Sequence, residues 1–150
     1  MSDEKKPDEV LEPKAPKPQA PQTPQQLLAS IQGAPAPAQI DAWKAEVPNH
    51  RIRLFAPDLK RVYVIRGISG LEVAQIQKSI PMNSEERDID FQLIACEKAV
   101  LWTNASYTHK LTAAELKAGT AGLPGSIFEI VSDLSDYFPP DRIALMSGDL

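Results

Sequence analysis

Apolar and polar positions along this chain change their period part-way. In "RIRLF" (51–55) and "KRVYVIR" (60–66) Ile52, Leu54, Val62 and Val64 recur at every second position. That is the spacing of half-buried strands. Ala56, Pro57 and Asp58 lie between the two runs with turn chemistry. Together they predict a β-hairpin, which needs a surface to pack on. Further along, the spacing lengthens to that of helices. Residues 84–102 carry Ile89, Leu93, Cys96 and Val100 on one stripe, with Phe91, Ile94 and Leu101 beside it. So broad an apolar face predicts a central core helix. Ile127, Ile130, Val131, Leu134 and Phe138 line one side of a second helix, expected over 127–138 and packed on the first.

Helix starts repeat one chemistry. Ser69 and Glu72, Asn83 and Glu86, Thr112 and Glu115, and Ser126 and Glu129 each place a capping oxygen three residues before a glutamate. The cap accepts a hydrogen bond from a free N–H and the glutamate returns one. Helices follow near 70–80, 84–102, 113–118 and 127–138. "TNASYTHKLT" reads as a polar loop or irregular hairpin, and Trp102 and Tyr107 as core closure. The expected fold class is α+β, mostly helical: a short β-hairpin packed on about four helices, in a small globular domain of residues 39–150.

Before that domain the composition shifts. Eight of the 14 prolines precede Gln39, and no aromatic residue precedes Trp43. Residues 1–38 therefore read as a flexible, disordered Pro/Gln-rich arm with too little apolar surface to offset ordering. Inside it, Thr23, Pro24 and Gln26 form a helix start and Gly33 an end. They predict a short docking helix over 24–32 whose apolar face is Leu27, Leu28 and Ile31. That face has two destinations, the chain's own domain or an external partner. If the arm serves a partner, removing residues 1–38 weakens binding and leaves the thermal melt nearly unchanged. At the other end, Ile143, Leu145 and Met146 follow Pro139 and Pro140. They form a second docking strip or a tail folded back on the core.

Charge and chemistry narrow the function. The net charge of −4 and pI near 5.2 make nucleic acid an unlikely partner, because such binders carry a basic face. One cysteine excludes an internal disulfide. The start lacks the apolar stretch of a signal peptide, and no apolar run reaches membrane-spanning length. The expectation is a soluble protein with no membrane partner.

"GTAGLPGS" (119–126) tests for a nucleotide loop. A phosphate loop needs a lysine after its last glycine, and here Ser126 follows Gly125. The bland reading accounts for each residue: Gly119 at a left-handed helix end, Leu123 and Pro124 in a tight turn, Ser126 as a cap. Cys96 lies on the apolar stripe, the place of a packing residue rather than a nucleophile. Glu85, Glu86, Asp88 and Asp90 suit a helix N-terminus. Asn104 opens a glycosylation sequon that carries no weight without a signal peptide. No histidine, cysteine or carboxylate set shows metal spacing. We expect no enzyme, no cofactor and no metal. Arg51, Arg53, Lys60, Arg61 and Arg66 gather around the strands, where charge protects a sheet edge or meets an acidic partner.

The order of the pieces resembles a known group. "VYVIRGISGLEVAQI", an acidic stretch, a helix ending "AVLWT", and "AGLPGSIFEIVSDLSDY" are similar to small tail or baseplate assembly proteins and virion proteins of contractile-tailed bacteriophages. The shared pattern falls on Arg66, Glu72, Val100-Leu101-Trp102, Ala121-Gly122-Leu123-Pro124 and Ser135, within residues 61–138. Thr103 stands where the group often has proline, and Asp136 where it often has glycine. The resemblance implies a non-enzymatic phage tail or baseplate protein acting through protein–protein contacts, as minor virion component or assembly chaperone. It implies other tail proteins as partners and the host cytoplasm or virion as location. The alternative is a small adaptor domain that binds a nucleic acid or acidic partner through the basic strand region.

Overall fold

The computed structural model describes residues 23–150. The proline-rich stretch 1–22, most of the expected arm, lies outside them. Among the described residues, seven helices and three strands follow in order. They are α1 (Pro24–Ala29), α2 (Pro37–Glu46), β1 (Ile52–Phe55), β2 (Tyr63–Arg66), α3 (Gly70–Ser79), α4 (Arg87–Ala99), β3 (Val100–Thr103), α5 (Ala113–Ala118), α6 (Leu123–Leu134) and α7 (Pro140–Met146). A single 3-10 turn, Pro48–His50, joins α2 to β1. The fold is α+β.

The strands form one antiparallel sheet in the order β1-β2-β3. Ile52 pairs with Arg66 and Phe55 with Tyr63 across the predicted hairpin. Its turn is fastened by Asp58, whose Oδ1 accepts the N–H groups of Lys60 (3.0 Å) and Arg61 (2.8 Å). The third strand corrects the expected helix over 84–102. That helix stops at Ala99, and Val100–Thr103 pairs with β2, Val64 opposite Trp102. β-branched and aromatic side chains fit a pleated surface better than a helical turn.

Alternation along β2 feeds two cores. Tyr63 and Ile65 face α4 and α6, where they join Leu93, Cys96, Ile127 and Val131. Val62 and Val64 face the other way and meet Trp102 in a smaller cluster. This second face is covered by the N-terminal segment: Leu27, Leu28, Ile31 and Trp43 pack on it. The expected domain start at residue 39 falls inside α2, and Leu27, Leu28, Ile31 and Ala34 before it pack with Trp43 on the sheet's outer face. Burying a large aliphatic side chain contributes about 1.5–3 kcal/mol, so each cluster matters to stability.

The capping chemistry forms at three starts. Thr23 with Gln26, Ser69 with Glu72, and Thr112 with Glu115 make reciprocal boxes. Two expected caps do not form. α4 starts on Glu86 with no side-chain cap, while Ser84 Oγ donates to Asp90 at 3.1 Å. α6 starts at Leu123 rather than at the expected Ile127, because Pro124 in its first turn suits helical geometry. Ser126 Oγ donates back to Gly122 O at 3.1 Å from inside the helix. Leu123 and Pro124 are thus helical rather than a turn. Gly119 is extended (φ −88°), not left-handed. Phe138 lies beyond α6 and is exposed, as are Ile89 and Tyr107. Tyr107 does not close the core, whereas Trp102 does.

Candidate functional site

Three of the residues that carried the phage resemblance, Arg66, Glu72 and Ser135, tie elements together. Arg66 at the end of β2 grips Glu72 on α3 with two parallel hydrogen bonds, 2.8 and 2.6 Å. Glu72 also accepts the Ser69 N–H at 3.0 Å. The guanidinium, with help from that N–H, holds the Glu72 carboxyl down to about 2 against partial burial. Gly67 follows, and a Cβ there would stand 2.5 Å from Leu134 O. Ser135 Oγ then accepts the Ile68 N–H at 2.8 Å and donates to Val131 O at 2.6 Å. Trp102 packs on Val62 and Val64. Among these positions the arrangement positions backbone and offers no reactive group.

The docking residues separate into two kinds. Leu27, Leu28 and Ile31 are half-buried on the sheet's outer face, so the domain itself occupies the α1 face. Ile143, Leu145 and Met146 on α7 are exposed, with Leu145 81% and Met146 76% accessible. α7 places no residue among the core clusters. Arg142 lies over the Phe138 ring, 4.8 Å from its centroid. The two halves of the docking set thus lie on different elements and only the C-terminal one is open.

The basic residues are mostly paired within the chain. Arg61 pairs with Asp58 at 3.0 Å, Arg66 with Glu72, and Arg53 with Asp133 of α6 at 2.6 Å. Arg51 stands 3.9 Å from the same Asp133 oxygen. The Arg53 hydrogen bond, with the nearby charges of Arg53, Arg51 and Arg142, keeps the Asp133 carboxyl below its ordinary value. One carboxylate therefore serves two arginines at the β1 edge. On the opposite face of β1 lies a groove of about 520 Å³ between α1, α2 and the sheet, lined by Leu28, Ile31, Ile40, Ile52 and Leu54, with Asp41 and Lys44 among its residues. Sequence reading missed this groove because it missed α2. Pro37 at a helix start was the available signal.

Cys96 is fully buried, its Sγ 3.5 Å from Pro124 O, and burial pushes its thiol up to about 12. His50 Nδ1 lies 3.0 Å from Lys44 O and His109 Nδ1 lies 3.1 Å from Thr103 O. His109 also stacks on Trp102 at 5.1 Å. Among the described residues, no group of three His, Cys, Asp or Glu side chains is placed to hold a metal ion. No described helix is long and apolar enough to cross a membrane. Comparison with protein-family models, curated proteins and solved structures finds no match for this chain.

Proposed function

We propose that this chain is a non-enzymatic phage tail or baseplate protein that works through protein–protein contacts, as a minor virion component or an assembly chaperone. One observation carries the contact reading: α7 displays Ile143, Leu145 and Met146 to solvent. An apolar strip of this kind costs solubility unless a partner covers it. The phage assignment rests on the sequence pattern alone. The Arg66–Glu72 ion pair and the Ser135–Ile68 bond give that pattern a physical reason, since each fixes a junction between elements.

The test is a double substitution, Leu145→Asp with Met146→Asp, in the full chain, with tail assembly in infected cells as the readout. Both side chains are exposed, so the thermal melt should stay within about 2 °C of wild type. Tail assembly should fall sharply. Normal tails from cells carrying only the double variant would sink the α7 contact. A source without any phage-like particle would remove the phage assignment.

A further inference from the structure

Among the described residues β1 is one of the sheet's two outer strands, and its hydrogen-bonding groups can be assigned one by one. The Thr103 N–H donates to His109 O at 3.1 Å, so it points away from β2. Groups alternate in direction along a strand. Trp102 therefore faces β2, and Val64, its partner, faces β3. The Val62 N–H, two residues earlier, also points to the β3 side, where Asn104 Oδ1 accepts it at 2.9 Å. Tyr63 and Ile65 are left facing β1, where they meet Phe55 and Arg53. Ile52 and Leu54 must then direct their N–H and C=O groups outward. Among the described residues, no hydrogen bond outside the sheet reaches the backbone of either.

The two faces beside that open edge differ in chemistry. Ile52 and Leu54 point to the apolar groove under α1 and α2. Arg53 points to the other face, where it and Arg51 share the single carboxylate of Asp133. The groove's lining includes Arg53 beside Ile52 and Leu54, so the groove runs along β1.

From this the geometry points to a peptide-docking edge: β1 accepts an extended acidic–apolar segment of a partner protein as a fourth strand. The added strand would exchange main-chain hydrogen bonds with Ile52 and Leu54. Its residues opposite those two enter the groove and should be apolar. Its residue opposite Arg53 lies beside two arginines and should be acidic. A second copy of this chain fits less well, because pairing two β1 strands brings Arg51 and Arg53 of both copies together. The inference does not require a phage source, so it stands or falls separately from the α7 contact.

The experiment titrates the full chain with two blocked heptapeptides, one alternating valine and glutamate, the other valine and lysine. Amide hydrogen exchange is followed by NMR. The glutamate peptide should bind about tenfold tighter than the lysine peptide at low salt, and Arg51→Glu should erase that preference. Protection should rise at the Ile52 and Leu54 amides and stay unchanged at Arg53 and Phe55, which are already bonded within the sheet. The inference is overturned by equal affinity for both peptides, by no binding of either, or by protection confined to other amides. It is also overturned if Ile52 and Leu54 become protected on raising protein concentration without peptide, which would mark a second copy as the occupant.

Discussion

Ser135 Oγ lies 2.8 Å from the backbone nitrogen of Ile68 and 2.6 Å from Val131 O. One hydroxyl thus ties the chain leaving β2 to the C-terminal turn of α6, across 67 residues of sequence. Ile68 is buried, so an N–H left without the hydroxyl carries a desolvation cost. Ser135→Ala should destabilise the fold by about 1–3 kcal/mol in urea unfolding. A change below the error of that measurement would show that the loop repacks.

Gly67 sits in the same junction. A Cβ there would meet Leu134 O at 2.5 Å and Leu134 C at 2.8 Å, both backbone atoms. Backbone cannot rotate aside as a side chain can. Gly67→Ala should cost about 3 kcal/mol, more than Ser135→Ala, and circular dichroism on heating would register it.

Acid should loosen the Arg66–Glu72 clasp. The Glu72 carboxyl ordinarily titrates near 4.5 and is held at about 2 in the fold. A folded value below the unfolded one means the contribution is complete above pH 4.5 and is lost as pH falls towards 2. The two side chains are only 16% and 21% exposed, so screening is incomplete. Glu72→Gln should cost about 2 kcal/mol at pH 7. The gap between variant and wild type should close by about pH 2. A gap constant with pH would mean the carboxylate charge plays no part.

Cutting the N-terminal segment should affect stability, whereas an arm that only serves a partner would leave the melt nearly unchanged. A chain beginning at residue 39 loses α1, and with it Leu27, Leu28 and Ile31 from the Val62–Val64–Trp102 cluster. Compared with a chain beginning at residue 23, it should melt about 10 °C lower. Equal melting temperatures would show that the outer face of the sheet does not need its lid.

Legibility in the sequence followed local signals. The hairpin was readable because Ile52, Leu54, Val62 and Val64 alternate over enough residues to show a period of two. Reciprocal caps at Ser69 and Thr112 were readable because both partners lie within one turn. The strand Val100–Thr103 was not, because no glycine or proline separates it from α4 and its apolar stripe runs on without a break. What makes it a strand is pairing with Val64, far away in sequence. Helix α2 was hidden for another reason. Proline crowding around it reads as disorder, and its polar and apolar residues show little sidedness. The docking set split on the same grounds: the α1 face met a sheet surface that only the folded chain reveals, while α7 joins no core cluster among the described residues. The β1 edge could not be read at all, since knowing which amides face outward requires the strand order.

The lid and the hairpin are neighbours along the chain, and β3 is not. Residues 24–66 precede the partner of β2's second edge in the order of synthesis. A growing chain can therefore assemble α1, α2, β1 and β2 first, with Val62 and Val64 already sheltered. β2 would then wait, one side unpaired, until Val100–Thr103 arrives together with the helix that delivers it. Until then one edge of β2 has no strand beside it, and the segment between residues 66 and 103 sets how much chain must follow before that edge is covered.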